Sequence, residues 1–257
     1  MSDVYYSNYI YLILNVASVF FPFLLSFDKK VAFYKHFPKV FAAIGLSGLI
    51  FIIWDLIFAH YQVWSFNPDY IIADLPGLPI EEYLFFITVP FSCIFIYYCL
   101  RAYIINLKSF TKVSGGVLVM ILIVCINIAV MNYFRLYSFL NAILAVAISI
   151  LWLWKVIDTR YGTFKYSLPY MVLCYMITLI PFALVNGILT SHPVVMYNSD
   201  HIMGIRAGTI PIEDFIYNYN LLALPIWILS YWEELATNRA RSSAGGTNSG
   251  LMTKSAL

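Results

Sequence analysis

The sequence predicts an all-α integral membrane protein of seven transmembrane helices, built as two parallel three-helix repeats joined by one linking helix. Three observations predict it. Of 257 residues, 62% are hydrophobic and only 11% are charged, whereas a soluble domain is about half apolar and about a quarter charged. Seven continuous apolar stretches approach the length of about 20 residues that crosses a hydrocarbon core. Three polar landmarks recur in the same order in both halves of the chain. So much apolar surface cannot be hidden inside a soluble domain of this size, and a bilayer does not require it to be.

The stretches cover residues 9–27, 40–59, 83–105, 117–133, 139–157, 168–189 and 215–232. They are continuous rather than alternating, which argues against a membrane barrel. Residues 1–112 form the first three-helix unit, 113–136 the linking helix and 137–236 the second unit. Residues 237–257 are rich in Ser, Gly and Asn and have no apolar period, so a disordered cytoplasmic tail is expected there. Residues 1–8 hold no basic side chain and lack the charged region of a cleavable signal peptide. The first stretch therefore reads as a retained span.

Charge placement orients the chain. With the N-terminus outside, the inner segments hold Lys29, Lys30, Lys35, Lys39, Arg101, Lys108, Lys112, Lys155, Arg160, Lys165, Arg239, Arg241 and Lys254. The outer segments hold only Arg135 and Arg206. The positive-inside rule selects this orientation, with an odd number of spans and a cytoplasmic C-terminus, and points to the cell membrane. The net charge of +2 gives no reason to expect a nucleic-acid partner. Cys93, Cys99, Cys125 and Cys174 lie in apolar stretches without metal-ligand spacing and read as buried thiols.

The repeat rests on landmarks. Trp54-Asp55, Asn67-Pro68-Asp69 and Pro79-Ile80-Glu81-Glu82 are echoed by Val185-Asn186, Asn198-Ser199-Asp200 and Pro211-Ile212-Glu213-Asp214. One inserted residue aligns the two series. Because a single span separates the halves, both point the same way, and both acidic motifs share one membrane face.

Glu81, Glu82, Glu213 and Asp214 are the candidate catalytic groups. A helix start accounts for part of the motif, since Pro suits the first helical position and acids complement the helix dipole. Yet these acids enter strongly apolar helices, where ionisable groups are expensive and often functional, and they do so twice. Asp55 and its counterpart Asn186 are candidate supporting groups; the plainer reading is a hydrogen bond between helices. Asn67 and Asn198 are also candidates, although turn chemistry accounts for them as well. His36, His60, His192 and His201 lack metal-ligand spacing. No dinucleotide or phosphate-loop fingerprint occurs, and no cofactor or metal is expected. The 21 Tyr and 20 Phe suit membrane interfaces, and would also suit a cavity for a cationic hydrocarbon intermediate.

The runs Phe27-Asp28-Lys29-Lys30, Trp54-Asp55, Trp64-Ser65-Phe66-Asn67-Pro68 and Leu78-Pro79-Ile80-Glu81-Glu82-Tyr83-Leu84-Phe85-Phe86 resemble the membrane-embedded, heterodimer-type lycopene cyclases. The chain looks like the fused form of that family over residues of about 10 to 232. The resemblance implies cyclisation of the acyclic ψ-ends of lycopene to β-rings, giving γ-carotene and then β-carotene, without a covalently bound cofactor. It implies lycopene and other carotenoids as substrates, the bilayer as surroundings and other carotenoid-pathway enzymes as possible partners. A carboxyl in an apolar site can hold a proton at neutral pH, and paired carboxyls can divide acid and base roles. The expectation is that Glu81 and Glu213 carry these roles, with Glu82 and Asp214 as coupled partners. Two other readings stay open. A small-solute transporter also uses parallel three-helix repeats about a linking helix, with Asn15, Asn127, Asn141 and Asn186 as midplane polar groups. A related terpenoid cyclase or carotenoid-binding protein would share nearly every feature.

Overall fold

The computed structural model describes residues 8–104, 106–158 and 164–252; residues 1–7, Arg160 and Lys254 of the sequence reading fall outside these. The chain is all-α in its main body. Seven helices follow in order: α1 (Ile10–Leu25), α2 (Phe37–His60), α3 (Ile80–Tyr103), α4 (Thr111–Met131), α5 (Leu136–Ile157), α6 (Leu168–Ser191) and α7 (Ile212–Met252). Short strands occupy the two long connections. These are β1 (Trp64–Phe66), β2 (Asp74–Leu75) and β3 (Leu78–Pro79) before α3, and β4 (Val195–Tyr197), β5 (Arg206–Ala207) and β6 (Ile210–Pro211) before α7. The sequence reading contains no strands. They arise because Gly77 and Gly208, both at positive φ, turn the chain into the tight hairpins β2–β3 and β5–β6.

Five helices, α2 to α6, are long and apolar enough to cross a membrane. The chain is accordingly a helical membrane protein. The other two differ from the uniform spans expected. Helix α1 is apolar but has 16 residues, a rise of about 24 Å against a hydrocarbon core of about 30 Å. In α7 the early turns carry Glu213, Asp214, Asn218 and Asn220, which dilute its apolar content. Helices α3 and α7 also begin three residues before the expected stretches, because acidic side chains in a first turn are stabilised by its unsatisfied N–H groups. At its far end α7 continues to Met252, into the stretch 237–257 expected to be disordered, of which 253–257 lie outside the described residues. Adding residues to an existing helix is far less unfavourable than starting one, and no proline after Pro225 interrupts it.

Helices α3 and α7 form the centre. Each packs on the other and on α2 and α6, with α1 flanking α3 and α5 flanking α7. Many large apolar side chains are exposed, including Phe20, Leu46, Met120, Ile180 and Leu184. Buried polar groups lie inside: Asn15, Ser47, Asp55, Asn141, Ser149 and Asn220. That distribution suits a hydrocarbon surround, where apolar groups face outward and polar groups must find partners within the protein. At the end of the bundle remote from the acidic motifs, Arg101 of α3 pairs with Glu233 of α7 at 2.7 Å, and the Tyr98 hydroxyl donates to the same carboxylate at 2.8 Å.

Candidate active site

Four acids enter the bundle at one end, two in the first turn of α3 and two in that of α7. They divide by role within each pair. Glu81 and Glu213 are fully buried and turn toward the connecting segments. Glu81 accepts the backbone N–H of Ile72 at 2.7 Å, and Glu213 accepts that of Met203 at 2.5 Å. The Ser138 hydroxyl adds a second donor to Glu213 at 2.6 Å. A buried N–H without an acceptor is unfavourable by about 1–3 kcal/mol, so these two carboxyls fasten the connections onto the helix starts.

Glu82 and Asp214 turn the other way, into the bundle. The Tyr11 hydroxyl of α1 donates to Glu82, and the Tyr137 hydroxyl of α5 donates to Asp214 at 2.7 Å. One turn further along, the Asn15 amide donates to the Glu81 carbonyl at 3.1 Å and the Asn141 amide to the Glu213 carbonyl at 2.7 Å. The amide oxygens are themselves engaged, by the Thr88 hydroxyl at 2.7 Å and the Asn220 amide at 2.8 Å. Each acid-bearing helix is thus clamped by a Tyr and an Asn four residues apart on its flanking helix.

The partners of the inward acids differ. Asp55 of α2 adjoins Glu82 on the cavity wall. One Asp55 oxygen accepts the Tyr217 hydroxyl at 3.3 Å, and the other has no donor. Two carboxyls adjoin there, and a hydrogen bond between them requires one to carry a proton. In the corresponding position Asn186 of α6 donates its amide to Asp214 at 2.7 Å, and the Tyr197 hydroxyl donates to the same oxygen at 2.8 Å. Burial, and next to it the charge of Asp214, pushes the Tyr197 phenol well above its ordinary range, so it remains a donor.

All these inward groups border one cavity of about 440 Å³, and Asp55, Glu82 and Asp214 line its head together with Tyr137, Tyr197 and Tyr217. Glu81 and Glu213 are not among its walls. Strands β1 and β4 roof the head, pairing antiparallel with Trp64 opposite Tyr197 and Phe66 opposite Val195. Asn67 and Asn198 end this roof on either side. Their side chains accept the N–H groups of Asp69 and Asp200, each at 3.0 Å, and neither lines the cavity. They serve the turns. Asn186 borders the cavity, as does Asp55. Among the described residues no cluster of His, Cys, Asp and Glu is arranged to hold a metal ion. The head thus offers carboxyl oxygens from α2, α3 and α7 among aromatic faces: the means of moving protons to and from an apolar molecule.

The lycopene cyclase family model matches residues 8–100 and 134–232. The chain belongs to the lycopene cyclase family. No curated protein and no solved structure matches it. Membership implies an enzyme of carotenoid cyclisation working in a membrane. Within this family member, sequence reasoning passed over Tyr11, Tyr137, Tyr197 and Tyr217, although each contacts an inward acid. A signal was present for two of them: Tyr11–Asn15 and Tyr137–Asn141 have the same spacing of four. Among so many aromatics, a single tyrosine carries no mark of its own.

Proposed function

We propose that the chain is a lycopene β-cyclase that closes the acyclic ψ-ends of lycopene to β-rings, giving γ-carotene and then β-carotene. The observation that carries this reading is the shared cavity head, where the Asp55–Glu82 pair and Asp214 meet under an aromatic roof. In this reading the proton shared by Glu82 and Asp55 adds to the terminal double bond of the end group. A new C–H bond forms and a tertiary cation is left. The neighbouring double bond attacks that cation, closes a six-membered ring and moves the charge into it. Asp214 then takes a ring proton, and the electrons of that C–H bond become the ring double bond. The proton returns to the Asp55–Glu82 pair before the next turnover, so the change is a net isomerisation and needs no oxidant.

Three features support the division of roles. Two carboxyls in contact hold one proton between them and can release it. Asp214 already accepts three hydrogen bonds on its two oxygens, which suits a carboxylate that steadies a cation and then accepts a proton. The faces of Tyr137, Tyr197 and Tyr217 favour positive charge nearby. Glu81 and Glu213, foremost in the sequence reading, hold the scaffold of the site in this proposal, and Asn67 and Asn198 hold its roof.

The same proposal includes seven spans in a 3+1+3 arrangement of two parallel repeats, with α4 as the link and the tail on the cytoplasmic side of the cell membrane. Its supports are the recurring contacts of Tyr11 and Tyr137, of Asn15 and Asn141 and of Glu81 and Glu213. The family model also leaves α4 unmatched between its two segments. The test is expression in a lycopene-accumulating bacterium with chromatography of the pigments. Conversion of lycopene to γ- or β-carotene is expected; unchanged lycopene beside folded protein in the membrane would overturn the assignment.

A further inference from the structure

We infer that the chain has one composite site, not one per half, and that it closes one end of a linear carotenoid at each visit. This rests on the cyclase reading above. The Glu82–Asp55 pair from the first half and Asp214 from the second border the same cavity head. The smaller hollow on the outer face of α1, lined by Leu12, Ile13, Val16, Ala17, Phe20 and Phe21, holds no acid. From that head the cavity runs along α1, α3 and α6, with Phe21, Pro22, Ser92, Cys93, Ile96 and Thr178 at its deeper end. No acid borders that end among the described residues. A ψ-end lying there meets nothing able to protonate it.

Length gives the same answer. Between Glu82 and Ile96, α3 rises about 21 Å, whereas an extended C40 polyene is comparable to the hydrocarbon thickness, about 30 Å. The remainder of the chain must leave the cavity. A side opening is present: Ala17 and Phe21 of α1 and Pro181 and Leu184 of α6 line the cavity and are exposed. Phe21 is 66% and Leu184 67% accessible, and both face outward on helices surrounded by apolar side chains. The polyene therefore enters sideways from the lipid, end group toward the acids, with its tail in the α1–α6 opening. Turning the molecule end for end inside such a groove is sterically blocked, so a second ring requires release of the monocyclic product and its re-entry.

The experiment uses membranes containing the full chain. Isotopically labelled lycopene is supplied together with an excess of unlabelled γ-carotene, and label is followed in each product. Expected is a labelled monocyclic product in the lipid pool and a several-fold dilution of label in β-carotene; a product that stays monocyclic meets the same expectation. Fully labelled β-carotene, undiluted by the unlabelled pool, would overturn the inference while leaving the cyclase reading in place. Absence of any ring would overturn the cyclase reading and this inference with it. A second arm compares Glu82→Gln and Asp214→Asn on lycopene: a composite site loses both rings in either variant. Retention of monocyclic product at the normal rate in one of them would point to two independent sites.

Discussion

The two inward acids occupy matching places on α3 and α7 yet keep different company. Glu82 faces another carboxyl, Asp55, whereas Asp214 faces the amide of Asn186 and a second tyrosine, Tyr197. The anchoring acids beside them diverge less: Glu81 and Glu213 each accept a backbone N–H from the preceding connection, and Glu213 adds the Ser138 hydroxyl. The change of partner from carboxyl to amide falls on the side of each helix that meets the cavity. A pair of carboxyls stores a proton, and a carboxylate ringed by neutral donors receives one. In the proposed cyclisation the two acids accordingly take different roles.

Experiments on this contrast fall in order of expected effect. The largest belongs to the inward acids themselves. Glu82→Gln and Asp214→Asn should each lower the rate of ring closure about 10²–10⁴-fold, the usual contribution of a positioned acid or base, read as product formed per folded protein. Normal turnover in either variant would remove that residue from the chemistry. Next is Asp55→Asn, which gives the first half the partner found in the second. A loss of about 10–100-fold is expected, equivalent to roughly 1.4–2.8 kcal/mol; an unchanged rate would mean that Glu82 needs no partner to hold its proton.

Tyr197→Phe removes one of the three donors to Asp214. About a tenfold fall in kcat is expected with little change in membrane insertion, since Asn186 and Tyr137 still hold the carboxylate. The smallest effect on chemistry belongs to the anchors. Glu81→Gln and Glu213→Gln should each lower stability by about 1.5–3 kcal/mol, the worth of a hydrogen bond to a charged group, seen as a lower Tm in detergent. Their kcat per folded molecule should change little and alike. A large loss of kcat at unchanged Tm would return the catalytic role to the anchors.

The membrane character was legible because composition and long apolar runs report burial in lipid directly. The acidic motifs were legible because ionisable groups at apolar helix starts are rare and these recur. The direction in which Glu81 and Glu82 point was hidden: adjacent residues differ by about a quarter turn of helix, and only the packing of α1 and α2 fixes which one meets the cavity. The β1–β4 pairing was hidden too, since Trp64 and Tyr197 are far apart in the chain and their strands have three residues each. Asn67 and Asn198 caught the eye through the repeat, and their turn bonds, the plainer explanation, are what the fold displays.

The side opening between α1 and α6 changes what concentration means for this molecule. A substrate that never leaves the bilayer is presented in two dimensions, and its effective dose is its mole fraction among lipids. Adding empty lipid to fused membranes, with total protein and substrate held constant, should slow turnover in proportion to the dilution. Stirring or added aqueous volume should leave the rate untouched.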